Sequence, residues 1–335
     1  MEKNFVNLIN EEAVVGASDR NFDSYEEFCE AVRAKLEEIT GSVVSLSSVM
    51  KNNDVVFKGL TIRGEEAISP TIYLEKYYER FTEGLMTFEE ICDDIVKFYD
   101  EHKCPDFDFD VKDYSSWNAI KNRIKMRLVN RKRNAEYLKQ LPHLIFGDLA
   151  IIFVVELDKG TNDFAASIKI RNEHMKDLWN VTVNDLYEAA KTNKDETVVK
   201  SMLSVIAEMR GVPEELLFNF EQPADAPEMF VASTEDKNNG AVVLLNEEDL
   251  KEFATEHGSF YIIPSSIHEL IFLTLNGCRQ DSDEISDMIQ SINDEVVNPE
   301  EVLGDHAYYY DADTDTLYSE YGGDEMLIEA VAPAA

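Results

Sequence analysis

Pairs of apolar, β-branched runs joined by short polar turns are the feature that most limits what this chain can fold into. Such pairs flank the turns KNND (51–54), KGTND (159–163) and TEDKNN (234–239), and HAYYYDADTDTLYSEY (306–321) has the same character. Runs of this kind about Asn, Asp and Gly are typical of β-hairpins. Because hairpins outnumber strand–helix–strand units, the sequence predicts an α+β fold of mainly antiparallel hairpins with flanking helices.

The amino-terminal part is predicted to be rich in helices. DSYEEFCEAVRAKLEEI (23–39) carries acids in its first turn and apolar residues at helical spacing. TIYLEKYYERF (71–81) and TFEEICDDIVKFYDEH (87–102) have a similar periodicity, and the second begins with the T-x-x-E spacing of a capping box. We therefore expect a helix–hairpin–helix–helix region at residues 20–110.

A polar connection and a basic amphipathic helix are predicted at residues 111–141. The proline-containing stretch CPDFDFDVKD (104–113) is the best candidate for a domain boundary. In the helix that would follow, Arg131 falls among apolar residues and is expected to meet a buried carboxylate. Residues 142–330 complete the chain as a hairpin-rich α+β region. The stripe that predicts the helix consists of Trp117, Ile120, Ile124, Leu128, Ala135 and Leu138.

Charge is distributed unevenly along the chain. With 31 Lys and Arg against 67 Asp and Glu, the formal net charge is −36, which disfavours direct binding of nucleic acid or anionic membrane. Residues 281–335 hold sixteen acids and no Lys or Arg, whereas residues 121–133 hold seven Lys and Arg and no acid. The cations Arg127, Arg131 and Arg133 are candidates for binding phosphate or RNA. Neutralisation by the protein's own carboxylates is the favoured alternative.

The expected compartment follows from the kinds of segment that the sequence lacks. No run approaches the roughly 20 apolar residues that cross a bilayer, and the amino terminus has no basic segment followed by an apolar one. The four cysteines are scattered, which suits a reducing interior better than a disulfide framework or a zinc site. Glycine-rich phosphate loops and metal-ligand spacings are also missing from the sequence. These features predict a cytoplasmic protein without a metal or cofactor.

Two acid–histidine doublets are the candidates for chemistry. In PSSIHEL, Ser266 and Glu269 have capping-box spacing and predict a helical turn, which leaves His268 unexplained. Asp305 and His306 form the second doublet. An acid–base or metal site would require folding to bring the two doublets together. Further candidates on other segments are His143, Asp148 and His174.

Several stretches taken together resemble an uncharacterised bacterial domain-of-unknown-function family, number 5688. They include RLVNRKRNAEYLKQLPHLIFGDLAIIF, NEHMKDLWNVTVNDLYEAA, FYIIPSSIHELIFL and VLGDHAYYYD. The resemblance covers the chain from about Asp23 to Tyr321 and implies an intracellular bacterial protein with a shared α+β fold. It implies no activity. It marks as motif positions Asn130, Asn134, Pro142, His143, Asp148, His174, Ser265, Ser266, His268, Glu269, Asp305 and His306.

Two functions from different classes remain open at this point. The favoured one is a non-catalytic cytosolic binding protein whose acidic surface recognises a protein partner or another basic surface. In a stronger form, the carboxy-terminal acids would imitate a DNA backbone. The alternative is a metal-dependent or acid–base hydrolase that uses His268, Glu269, Asp305 and His306.

Overall fold

A computed structural model gives the structure of most of the chain. The described ranges are 21–64, 69–102, 111–158, 166–216, 227–275 and 282–331. Features that lie wholly or largely outside these ranges are the predicted domain boundary at 104–113, the turn at 159–163, Cys104 and Cys278. The chain divides into two compact units, Met1–Met50 with Val56–Asp106, and Lys51–Val55 with Phe107–Ala335.

The described residues of the first unit form three helices and a small antiparallel sheet of order β1-β2-β3. Ser24 accepts a hydrogen bond from the backbone N–H of Glu27 and thereby caps the first helix. Thr87 and Glu90 form the predicted capping box at the start of the last one. The elements are α1 (Tyr25–Thr40), β1 (Val44–Met50), β2 (Val56–Ile62), β3 (Ile72–Tyr73), α2 (Glu75–Thr82) and α3 (Phe88–His102).

The described residues of the second unit form two larger sheets. Its helices and strands are α4 (Trp117–Ile120), β4 (Ile124–Asn130), α5 (Ala135–Leu138), β5 (His143–Phe146), β6 (Leu149–Asp158), β7 (Ala166–Lys169), α6 (Val183–Thr192), β8 (Thr197–Ser201), α7 (Met202–Arg210), β9 (Met229–Thr234), α8 (Glu247–His257), β10 (Phe260–Ile263), β11 (Leu270–Thr274), α9 (Ser282–Glu295), β12 (Tyr308–Asp311), β13 (Thr316–Tyr318) and β14 (Ile328–Ala330). No helix in the described ranges combines the length and apolar character of a membrane span.

All strand pairs of the described residues are antiparallel, which confirms the predicted α+β fold. One sheet has the order β14-β5-β6-β4, with β7 also paired to β6, and the other has the order β13-β12-β10-β11-β9-β8. A shared core lies between them, formed by residues such as Leu128, Phe153, Phe260 and Phe272. The opposite face of the second sheet packs against α9 through a separate cluster that includes Ile285 and Ile289.

The basic amphipathic helix predicted at 111–141 is wrong, because strand β4 occupies the middle of this segment. Ile124 and Leu128 both face the core. A spacing of four residues is compatible with the two-residue period of a strand as well as with a helix. Arg131 lies in the turn after β4 and is exposed, so its predicted buried carboxylate partner is also wrong.

The hairpin predicted about TEDKNN is wrong as well. β9 pairs with β8 and β11, and Gly240–Leu245 forms a 3-10 helix instead of a strand. This helix packs tightly against the end of β9, since a Cβ added at Gly240 would lie only 2.0 Å from Ser233 Oγ. Asn239, which precedes it, has a left-handed backbone at φ 56°. The Asn-Gly pair therefore starts a helical turn here.

The helical turn predicted in PSSIHEL is the third correction. These residues form the loop between β10 and β11, which pair directly as an antiparallel hairpin. The Ser266 hydroxyl accepts a hydrogen bond from the His268 backbone at 3.0 Å, and the Ser266 backbone donates to the Glu269 carbonyl at 3.2 Å. The serine thus closes a loop between two core strands, and the Glu269 side chain does not complete a capping box.

Candidate functional site

Asp148 is the centre of a polar group assembled from distant segments. It lies in the tight turn between β5 and β6, after Gly147 with its φ of +58°. The Tyr308 hydroxyl donates to the Asp148 carboxylate at 3.2 Å, and His306 Nε2 lies 4.0 Å from Asp148 Oδ1. Burial raises the pKa of Asp148, against the opposing effect of His306. Burial and the Asp148 charge together raise the pKa of Tyr308 well above its usual value.

Asp305 is held by a different partner from its neighbour His306. Arg133 Nη2 lies 2.7 Å from Asp305 Oδ1 and 3.0 Å from Oδ2. The Asn293 amide donates to the same carboxylate at 3.2 Å. The predicted doublet is therefore split, with Asp305 paired to a guanidinium and His306 next to Asp148.

Two motif asparagines at and after the end of β4 connect this strand to other segments of the second unit. Asn134 is fully buried and donates to Asn53 Oδ1 at 2.9 Å and to the Asn130 carbonyl at 2.8 Å. Asn134 also accepts a hydrogen bond from the Asn53 backbone at 2.8 Å. The Asn130 amide donates to the Leu303 carbonyl at 3.0 Å. These bonds satisfy buried polar groups and give both motif positions an architectural role.

His268 lies in its own environment. Its Nδ1 accepts a hydrogen bond from the Asn239 backbone at 3.1 Å, and its Nε2 lies 3.9 Å from Glu301 Oε1. Within the described residues, no hydrogen bond or ion pair joins the loop of His268 to Asp305 or His306. The same ranges contain no group of three or more His, Cys, Asp or Glu that could hold a metal ion.

The remaining candidate histidines also have local contacts. His143 begins β5 and its Nδ1 lies 2.9 Å from the Leu141 carbonyl oxygen. His174 Nδ1 lies 2.9 Å from the Tyr114 hydroxyl, and burial, followed by the charge of Arg171, lowers the pKa of His174. Neither contact points to catalysis.

The basic residues of this region lie on the outer face of β4 and β7. Arg127 is partly buried and its Nη2 donates to Ser167 Oγ at 2.7 Å. Lys169 places its Nζ 4.7 Å from the centre of the Tyr137 ring. Lys125 is already neutralised, because its Nζ lies 2.5 Å from Asp195 Oδ1. Arg127 and Lys169 therefore stand out as cations without a carboxylate in contact within the described ranges.

A cavity of about 270 Å³ opens between β4, α6 and the start of α8. Charged groups of both signs line it, and several of them already form ion pairs, such as Lys194 with Glu248 at 3.4 Å. It brings together no candidate acid or base from the motifs. Its lining includes Lys125, Tyr187, Asp195, Val243, Asn246 and Glu247.

The outer side of α9 carries an exposed apolar stripe with acidic borders. Met288 and Ile292 are 46% exposed and Val296 is 77% exposed. The four-residue spacing aligns Met288 and Ile292 on one side of α9. Val296 lies in the turn directly after the helix, where its backbone N–H donates to the Ile292 carbonyl at 2.9 Å. Glu284 precedes Met288 by one turn and Glu295 follows Ile292 by three residues, and both acids are exposed. We call these five residues the α9 surface.

Sequence reasoning did not identify three of these features. Tyr308 sits in an apolar strand pattern and resembles an ordinary core residue. Lys169 alternates with Ile168 and Ile170 in a strand, so only the period of two could have indicated a shared face with Arg127. The sequence does contain a signal for the α9 surface. DEISDMIQSINDEV has two rows of apolar residues at helical spacing, whereas a surface helix that packs on one side needs only one such row.

Comparison with known proteins identifies a family and no closer relationship. No curated protein and no solved structure matches the chain. The motif positions described above all fall within the part of the chain that a family model matches. Residues 25–312 of the 335 match the model of a family of unknown function, DUF5688, and the chain belongs to that family.

Proposed function

We propose that the protein is a non-catalytic cytosolic binding protein and that the α9 surface recognises its partner. The observation that carries this proposal is the exposure of Met288 and Ile292 on a helix whose other side is packed, with exposed Val296 in the turn that follows. Contiguous exposed apolar side chains with a polar rim are characteristic of interaction sites. Fully burying a side chain of this size is worth about 1.5–3 kcal/mol.

The charges around the stripe favour a partner of one kind. Residues 281–335 contain no Lys or Arg, so no cation of this segment is available to neutralise Glu284 and Glu295. A partner segment with apolar side chains flanked by Lys or Arg would cover the apolar stripe of the α9 surface and pair with its two acids. We propose that this segment is an amphipathic helix of a partner protein, which would pack its apolar side along α9.

The hydrolase alternative is supported by one observation, the raised pKa of Asp148 next to His306. Raised carboxyl pKa values are common among catalytic acids. However, the Asp148 carboxylate already accepts a hydrogen bond from buried Tyr308, and Arg133 holds the carboxylate of Asp305. We therefore place this alternative second.

Peptide binding tests the proposal. The probe is a fluorescent synthetic helix of leucine and lysine, compared with a leucine and glutamate helix that has the same apolar side. We expect fluorescence anisotropy to show binding of the lysine peptide only. The double variant Met288→Ser/Ile292→Ser should weaken this binding by at least about tenfold, which corresponds to 1.4 kcal/mol.

The matched control is Met209→Ser on α7, since Met209 is 83% exposed and lies far along the chain from α9. This control should bind the lysine peptide as the unchanged protein does. Equal weakening by the control and by the α9 double variant would show that binding is not localised at the α9 surface. Binding of both peptides with similar affinity would contradict the proposed role of charge.

A further inference from the structure

Lys169 lies in a group of cations on the outer face of the sheet formed by β4, β6 and β7. Its Nζ packs 4.7 Å from the centre of the Tyr137 ring and makes no hydrogen bond within the described residues. The other charges that act on it are all positive and belong to Lys51, Arg127 and Arg171. Although the protein has 67 acids and 31 bases, no carboxylate of the described residues forms an ion pair with Lys169.

The strand register explains why these groups meet. β4 and β7 flank β6, and Arg127 faces Ile152 while Lys169 faces Val154, two residues further along β6. Side chains two residues apart on a strand share one face. The hydrogen bond from Arg127 Nη2 to Ser167 Oγ crosses β6 at 2.7 Å and brings the guanidinium to β7.

Arg171 extends the group toward solvent. It follows Lys169 by two residues, is exposed, and its Nη1 lies 3.4 Å from Gln140 Oε1. Glu156 and Asp236 act on Arg127 and reduce part of its charge. Burial and the charges of Lys51, Arg127 and Arg171 lower the pKa of Lys169 to about 7.

We propose that Lys169, Arg127 and Arg171 form a binding site for the phosphoryl group of a small molecule. Clustered cations repel one another, and an anion bound between them would relieve this repulsion. Two guanidinium groups and an amine match a multivalent anion with several acceptor oxygens. Exposed Arg171 leaves the site open at its rim, while the Tyr137 ring covers Lys169 from one side.

Thermal unfolding with added phosphate tests this site. The unchanged protein should show a melting temperature that rises with inorganic phosphate more than with sodium chloride of equal ionic strength, because a ligand that binds only the folded state stabilises it. Phenyl phosphate is measured in parallel, and the stronger response of the two shows whether the ligand is the free ion or an ester. A response to neither ligand would refute the site.

Two variants localise the response. Arg171→Gln changes an exposed side chain, should fold normally, and should weaken phosphate binding by about tenfold. Lys169→Met keeps the contact with Tyr137 and removes the repelled charge. It should melt at a higher temperature than the unchanged protein without phosphate and should not respond to phosphate.

The control is Lys132→Gln, because Lys132 is exposed and makes no ion pair in the described ranges. It should retain the full phosphate response. A loss of response in this control equal to that of Arg171→Gln would mean that general charge, and not this site, binds phosphate. A response to single-stranded DNA without any response to phosphate or phenyl phosphate would also overturn the small-ligand assignment.

Discussion

The buried hydroxyl of Tyr308 donates a hydrogen bond of 3.2 Å to Asp148, which lies 160 residues earlier in the chain. The bond connects the turn between β5 and β6 to the strand β12, and so joins the two sheets of the second unit. His306, two residues before Tyr308, reaches the same carboxylate. The motif residue Asp148 therefore has a structural role in the second unit.

Replacement of Tyr308 by Phe should destabilise the protein by about 1 kcal/mol, because the partly buried Asp148 carboxylate loses a hydrogen-bond donor while the ring is retained. Urea unfolding followed by circular dichroism measures the free energy of unfolding. Tyr318→Phe is the control, since Tyr318 is only partly buried and its hydroxyl makes no hydrogen bond in the described residues. Equal stability of the two variants would show that the Tyr308 bond contributes nothing.

Asp148 should also give stability a particular dependence on pH. Burial raises the pKa of Asp148 in the folded state above its ordinary value of 3.8. The folded state therefore binds a proton at the Asp148 carboxylate more readily than the unfolded state does. The contribution of Asp148 to the free energy of unfolding is therefore lost as the pH rises from 3.8 through the pKa of the folded state. Asn cannot ionise at this position.

The Asp148→Asn variant tests this dependence by urea unfolding at a series of acidic pH values. The free energy of unfolding of the unchanged protein, relative to the variant, should fall as the pH rises. A constant difference across the series would indicate that the pKa of Asp148 is the same in both states.

Arg133 and Arg131 form a natural pair for mutagenesis. Arg133 contacts both oxygens of Asp305, and the two side chains are 39% and 38% exposed. A partly exposed ion pair of this kind contributes about 0.5–1 kcal/mol, so Arg133→Ala should cost that amount. Arg131→Ala should cost less than about 0.5 kcal/mol because its side chain is exposed. Thermal unfolding of both variants compares them, and a larger loss for Arg131 would contradict the described contacts.

The antiparallel fold was predictable because hairpins leave local signals. Alternating apolar residues about KNND and within HAYYYDADTDTLYSEY gave two hairpins correctly. β4 was mistaken for a helix because Ile120, Ile124 and Leu128 are four residues apart, a spacing that both periods allow. The alternation of Lys125, Met126 and Arg127 was the signal that distinguished them.

The sequence identified residues of the candidate sites but did not predict which of them are in contact. Asp148 and His306 were both marked by sequence, but their contact depends on how β5, β6 and β12 are arranged in two sheets. The pairing of Asp305 with Arg133 likewise joins segments 172 residues apart. Such contacts follow from the topology of the whole unit, which local periodicity does not specify.

The role of charge at the α9 surface is the central claim, and salt dependence tests it directly. The measurement is the dissociation constant of the leucine and lysine peptide over a range of sodium chloride concentrations. Three proteins are compared: the unchanged chain, Glu284→Gln/Glu295→Gln, and Glu252→Gln on α8. Glu252 is exposed and lacks an ion pair in the described ranges, so its loss changes net charge without changing the α9 surface.

Salt screens interactions between exposed charges, so binding of the unchanged protein should weaken as salt rises. The double variant should bind more weakly at low salt and show a smaller dependence on salt, whereas Glu252→Gln should behave like the unchanged protein. If the double variant keeps the salt dependence of the unchanged protein, Glu284 and Glu295 do not select the partner, and recognition by the α9 surface is contradicted.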